Sequence, residues 1–277
     1  MNMPRLVLAL LTYTLVLTSV SCTQPGPELS SEELSAIGQL IYRNECAGKE
    51  SCLTSWNAGE EFASLGIGHF IWYPAGATKQ FDESFPKLLH YMHAEGAPIP
   101  VWLAENFDAP CPWASRKAFL AARNTQKMNE LRQFLAKSKQ KQAEFMSKRL
   151  NNALPRMLAS IPESQRSYVR QQFDRVAHAP MGMYALIDYV NFKGEGIKPS
   201  ERYREQGWGL LQVLEAMQGE EKGSVAIQAF ARTARQILKR RVRNSPPERN
   251  EARWLTGWEH RLQTYVTASG IAEGNAG

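Results

Sequence analysis

The chain has 277 residues, 43% of them hydrophobic and 22% charged, with a formal net charge of +6. That balance excludes a chain disordered throughout and suits one large domain or a two-lobed one. The positive excess bears on anionic polymers and lipid surfaces as partners, not on fold.

The opening residues, MNMPRLVLALLTYTLVLTSVSC, carry Arg5, an apolar stretch from Leu6 to Leu17, and small residues up to Cys22. This is the pattern of a signal peptide over 1–21, and its apolar core is too short to span a bilayer comfortably. The mature protein is therefore expected to be exported. TSVSC resembles a bacterial lipoprotein processing site in its Ser21 and following Cys, although Ser19 stands where that site usually has Leu. Cys22 is accordingly the lipidation candidate, with a plain cleaved signal as the alternative. The Pro- and Gly-containing 22–31 then reads as a spacer behind a lipid anchor. With Cys22 lipidated, Cys46, Cys52 and Cys111 allow one disulfide and leave one thiol. Cys46 and Cys52 are close enough in sequence to bridge, while pairing of either with Cys111 depends on geometry. No zinc-type spacing appears, and the HYMH of His90 and His93 reads as a solvated helix face.

Next, SSEELSAIGQLIYRNE opens with Ser30 and Glu33 in capping-box spacing and carries Leu34, Ile37 and Ile41 on one helical face. Glu45 falls near the end of that helix, where the negative end of the macrodipole disfavours ionisation and an apolar cleft wall would add to the effect. A carboxyl that keeps its proton near neutral pH suits a general acid. From Phe62 to Tyr73, FASLGIGHFIWY alternates as one extended strand. Leu65, Ile67, His69 and Ile71 take one side, and Ser64, Gly66, Gly68 and Phe70 the other. Gly66 and Gly68 then leave a bare floor for a sugar ring, Ser64 holds a water, and Trp56, Phe70 and Trp72 offer aromatic faces. His69 points away from Ser64 and reads as structural.

YPAGATKQF and GAPIPVW read as loops. Beyond Trp113, helix-period segments are expected at 114–135, 138–152, 163–177, 181–192, 207–218, 223–243 and 248–267. Two stretches are strongly basic: ten Lys or Arg in 115–149 and eight in 232–253. Solvated helix faces are the first reading of both, and attraction to an anionic polymer or lipid surface is the second. Asp188 and Tyr189, on an apolar helix, are expected to satisfy buried partners. Arg253, Trp254 and Trp258 read first as helix packing.

NEC followed by SLGIGH at 64–69 resembles the phage-type lysozymes, muramidases in which a Glu ending the first long helix precedes a small β lobe with a T-I-G-I-G-H-like strand. MYALIDYVNFKGEG at 183–196 resembles the family's central buried helix, and SPPERNEARWLTGWEHRLQTY at 245–265 its closing region, in family order. The resemblance implies an α+β, mostly helical, lysozyme-like fold with a small β lobe and a large helical lobe over 32–267. It leaves a helical insertion at about 74–180 and a flexible tail at 268–277.

It further implies cleavage of the β-1,4 bond between N-acetylmuramic acid and N-acetylglucosamine in peptidoglycan, with Glu45 as general acid and Ser64 where the family has a water-orienting Thr. Asn57 stands where an Asp would be expected, so the second group is open, with Glu60 preferred over Glu61. A lytic transglycosylase needs only one catalytic acid and stays open on that account. A catalytically inactive envelope lipoprotein that binds glycan or a partner enzyme is the alternative class, and membrane action through 115–149 is a third. The expected partner is peptidoglycan in the periplasm, with attachment to the outer membrane if Cys22 is lipidated. No cofactor, metal or nucleic acid is expected, and no protein partner is identified.

Overall fold

The computed structural model describes residues 26–270. Cys22, the signal segment and 271–277 lie outside the described residues. Helix α1 (Ser31–Cys46) begins where the sequence pattern places it: the Ser30 hydroxyl accepts from Glu33 N–H at 3.1 Å, and the Glu33 carboxylate accepts from Ser30 N–H at 2.8 Å. It ends as Ala47 turns left-handed, and a Cys46–Cys52 disulfide ties that end to the 3₁₀ turn Glu50–Leu53. Cys111 is the remaining described cysteine, a buried thiol whose pKa burial pushes up to about 12.

A three-stranded antiparallel sheet follows: β1 (Thr54–Ser55), β2 (Ala63–Leu65) and β3 (Phe70–Trp72). Ser64 pairs with Ser55 on one side and Ile71 on the other. The single strand expected over Phe62–Tyr73 is thus a hairpin. Its reversal occupies Gly66 to His69, with Gly66 at φ +67° and His69 at φ +47°. Gly66 is required there twice over, because a Cβ would also fall 2.2 Å from Gln142 Oε1. Buried Gln142 accepts from Ile67 N–H at 2.8 Å and donates to the Leu135 carbonyl at 2.7 Å, which fixes the turn against the helical part.

Helices α2 (Phe85–Ala94), α3 (Val101–Ala104), α4 (Arg116–Ala121), α5 (Gln126–Lys137), α6 (Lys139–Ala159) and α7 (Glu163–Ala177) come next. The expected helix over 114–135 is broken in two, because the Thr125 side chain caps α5 by accepting from Met128 N–H. α6 lies along α1, where Gly38 lets the backbones close up: a Cβ there would meet the Lys139 carbonyl at 2.9 Å. Segment 74–180 therefore shares one core with α1 and with α8 (Gly182–Lys193), which is buried at every position from Gly182 to Tyr189.

A two-stranded hairpin, β4 (Arg202–Tyr203) and β5 (Gln206–Gly207), turns through Arg204 and Glu205, both at positive φ as a tight two-residue turn demands. α9 (Leu210–Ala216), α10 (Ser224–Asn244) and α11 (Leu255–Ala268) are the remaining helices among the described residues, with α10 and α11 packed on each other. The fold is α+β and mostly helical. Among the described residues no helix is long and apolar enough to cross a membrane.

Candidate active site around Glu45

Glu45 sits one residue before the end of α1, and its side chain is 11% exposed. The group facing it is a cation from far along the chain. Arg261 Nη2 on α11 donates to Glu45 Oε1 at 2.5 Å. The same guanidinium grips Asp188 of α8, with Nε on Oδ2 at 2.7 Å and Nη2 on Oδ1 at 2.8 Å. Asp188 is fully buried and also accepts from the Tyr265 hydroxyl at 2.5 Å. Arg261 and Tyr265 are four residues apart and so share one face of α11.

This arrangement holds its charges in place. Burial alone would loosen the Arg261 proton, but the carboxylates of Asp188 and Glu45 more than reverse that and raise its pKa. Burial and then Asp188 raise the Tyr265 pKa, which keeps its hydroxyl a donor. A buried ion pair is weak evidence for net stability, yet removing one partner leaves an uncompensated charge. The network therefore fixes geometry between α1, α8 and α11.

The second Glu45 oxygen is treated differently. Oε2 makes no hydrogen bond among the described residues and lies 3.6 Å from His69 Nε2. That nitrogen is itself buried without a partner. His69 was expected to point away from the chemistry as part of a strand. Because residues 66–69 are a turn, the alternation does not carry through, and the imidazole faces Glu45.

Lys193, at the end of α8, is buried between two rings, 3.4 Å from the Trp258 centroid and 3.8 Å from that of Phe192. Burial, reinforced by Arg241 and Arg261, lowers its pKa to about 5, so the amine is neutral at pH 7 and its ring contacts are packing instead of cation–π attraction. Further along, the buried Glu251 takes two bonds from Arg241 at 2.7 and 2.8 Å and one from the Tyr203 hydroxyl at 2.9 Å. Burial would raise its pKa; Arg241 outweighs this and lowers it.

The other residues singled out by sequence are distributed otherwise. Ser64 is buried on the middle strand, its carbonyl accepting from the Ser55 hydroxyl at 3.1 Å, and no hydrogen bond joins it to Glu45. Glu60 lies in the β1–β2 turn, accepting from Asn57 Nδ2 at 3.1 Å, with no bond to Glu45. Gly66 and Gly68 form no open floor: Gln142 covers the first and the Phe70 ring the second. Trp56 and Trp72 are not groove walls either. Trp56 donates to the Glu60 carbonyl at 2.7 Å and packs on Phe119. Trp72 donates to the Ala109 carbonyl at 2.9 Å and packs against Phe85, Trp102 and Trp113. Both belong to an aromatic core, since an indole buried with its N–H satisfied is a packing unit.

Asp188 and Tyr189 do satisfy buried partners, Tyr189 by donating to the Trp208 carbonyl at 2.9 Å. His90 bonds Asp108 at 3.0 Å on the surface. Sequence reasoning missed Arg261, Gln142 and Lys193. The one local signal for Arg261 was a carboxylate, Asp188, on an otherwise apolar helix, which calls for a buried cation from elsewhere. No family model, curated protein or solved structure matches the chain.

Proposed function

We propose that the chain is an exported peptidoglycan glycosidase that cleaves the N-acetylmuramic acid to N-acetylglucosamine β-1,4 bond, with Glu45 as general acid. The proposal places it in the periplasm, tethered to the outer membrane if Cys22 is lipidated. The observation that carries it is the unequal treatment of the Glu45 oxygens: Arg261 holds Oε1 at 2.5 Å, and Oε2 is left unbonded toward His69. A carboxyl oriented through one oxygen and free at the other suits proton delivery to a leaving-group oxygen.

In this reading Glu45 protonates the glycosidic oxygen as the bond breaks, Arg261 keeps the carboxyl in register, and positive charge develops on the sugar ring. Addition of water, whose proton returns to the Glu45 carboxylate, completes hydrolysis. Attack by the sugar's own hydroxyl, its proton likewise passing to Glu45, instead leaves an anhydro end, the transglycosylase outcome, which dispenses with a second acid. The separation of Glu60 and Ser64 from the Glu45 hydrogen-bond network favours that variant.

A second reading rests on the 11% exposure of Glu45: an inactive envelope protein whose cleft binds glycan or a partner enzyme. Purified mature protein and its Glu45→Gln variant, each incubated with peptidoglycan, separate the two by mass spectrometry of released fragments. New reducing or anhydro ends made only by the wild type support the enzyme. Glycan binding by both, with fragments from neither, overturns it.

A further inference from the structure

α7 and the turn leading into α10 enclose a cavity of about 730 Å³ that shares no residue with the Glu45 cluster. Its lining carries Arg170, Arg175 and Lys222, the carboxylates of Asp174 and Glu220, and His178. Arg170 Nε bonds both oxygens of Asp174 at 3.0 and 2.9 Å, so Asp174 already has its cation. Arg175 has no such partner. It is only 6% exposed, and Nη1 donates to Gln172 Oε1 at 2.6 Å, to the Gln218 carbonyl at 3.2 Å and to the Gly219 carbonyl. Its Nε and Nη2 are buried without a hydrogen-bond partner, and no ion pair includes it among the described residues.

A buried guanidinium is normally matched by a carboxylate, because stripping water from the charge is costly unless another group replaces it. Nε and Nη2 form the edge that meets both oxygens of a carboxylate in two parallel hydrogen bonds. We propose that this cavity binds a small zwitterion, an amino acid or short peptide, with its carboxylate on the Nε and Nη2 edge of Arg175 and its ammonium toward Glu220. The mixed lining sets the class: a phosphate dianion would have to face Asp174 and Glu220, whereas a zwitterion complements both signs. The volume is in the range that holds a small organic ligand. Both nitrogens are themselves buried, so an entering carboxylate reaches them only by displacing their neighbours. Lys222 and Glu220 are exposed and in no ion pair among the described residues.

The test is a titration of the full chain with alanylalanine, its C-terminal amide and inorganic phosphate, followed by the arginine Nε–H resonances. The peptide acid is expected to shift the Arg175 signal, and the amide to bind at least about tenfold more weakly. Glu220→Gln is expected to weaken the peptide about threefold and Arg175→Lys by more than about tenfold, the latter with an unchanged circular dichroism spectrum. If Arg175→Lys does not fold, the acid-against-amide comparison and Glu220→Gln decide the matter on folded protein. Equal binding of acid and amide, tighter binding of phosphate, or no shift up to about 10 mM peptide overturns the assignment.

Discussion

Arg261 and Arg175 are both buried helix arginines, and they solve the cost of burial in opposite ways. Arg261 is shared between two carboxylates from two other helices. Arg175 rests on neutral oxygens at one nitrogen and on nothing at its Nε and Nη2. The first arrangement is closed by the fold and positions what it touches. The second is closed by the fold only in part, and Arg175 is among the residues that line a cavity large enough for a ligand.

The sharpest way to break the comparison is to unbalance Arg261. Asp188→Ala leaves that guanidinium with Glu45 alone and a Tyr265 hydroxyl without its acceptor, and about 3–5 kcal/mol of stability should be lost in urea unfolding. A loss near zero would mean that the network is solvated and does not fix α8 to α11. Glu45→Gln should cost far less in stability, because Asp188 still pairs with Arg261, while glycan cleavage on the proposed mechanism falls about 10²–10⁴-fold in fragment-release assays.

Lys193 tests the same region through pH. Its ordinary pKa is 10.5 and its folded value about 5, so between those limits the unfolded chain binds a proton that the folded chain does not. Stability is fullest above the upper limit, falls as pH drops through the window, and stops falling from this source below about 5. The slope from one such group is at most about 1.4 kcal/mol per pH unit. Lys193→Met should remove it, so that denaturant midpoints at pH 9 and pH 6 lie closer together than in the wild type. Equal pH dependence in both proteins would show that water reaches the amine. At the small end, Lys87 and Asp82 pair at 2.7 Å on the open surface, and Lys87→Ala should change stability by no more than about 0.5 kcal/mol.

Local rules carried the sequence reading where the structure is local. Ser30 and Glu33 specified the start of α1 and hence the place of Glu45 near its end. Helical periodicity located most of the helices beyond Trp113, and of the pairings that the sequence left open the geometry selects Cys46–Cys52. The turn at 66–69 was hidden because apolar and small residues keep alternating through it while the chain reverses, so His69 was assigned the wrong outlook. α2 was signalled only by the helix face read at His90 and His93, and the Pro- and Gly-containing loops on either side left its bounds undrawn. Trp72 shows a further limit: an indole reads the same in sequence whether it lines a groove or is packed among Phe85, Trp102 and Trp113. Arg261 could not be paired with Glu45 from spacing, since nothing local links positions 216 apart.

That separation also orders events in time. Glu45 and the hairpin that faces it are near the start of the chain, but the guanidinium that orients Glu45 arrives only when α11 docks. Contacts of such long range form late because the intervening chain must first be closed into a loop. A chain emerging N-terminus first therefore carries Glu45 unpositioned through most of its synthesis. Among the described residues, α11 is the last helix to be made, and it acts as the latch that fixes the Glu45 carboxylate.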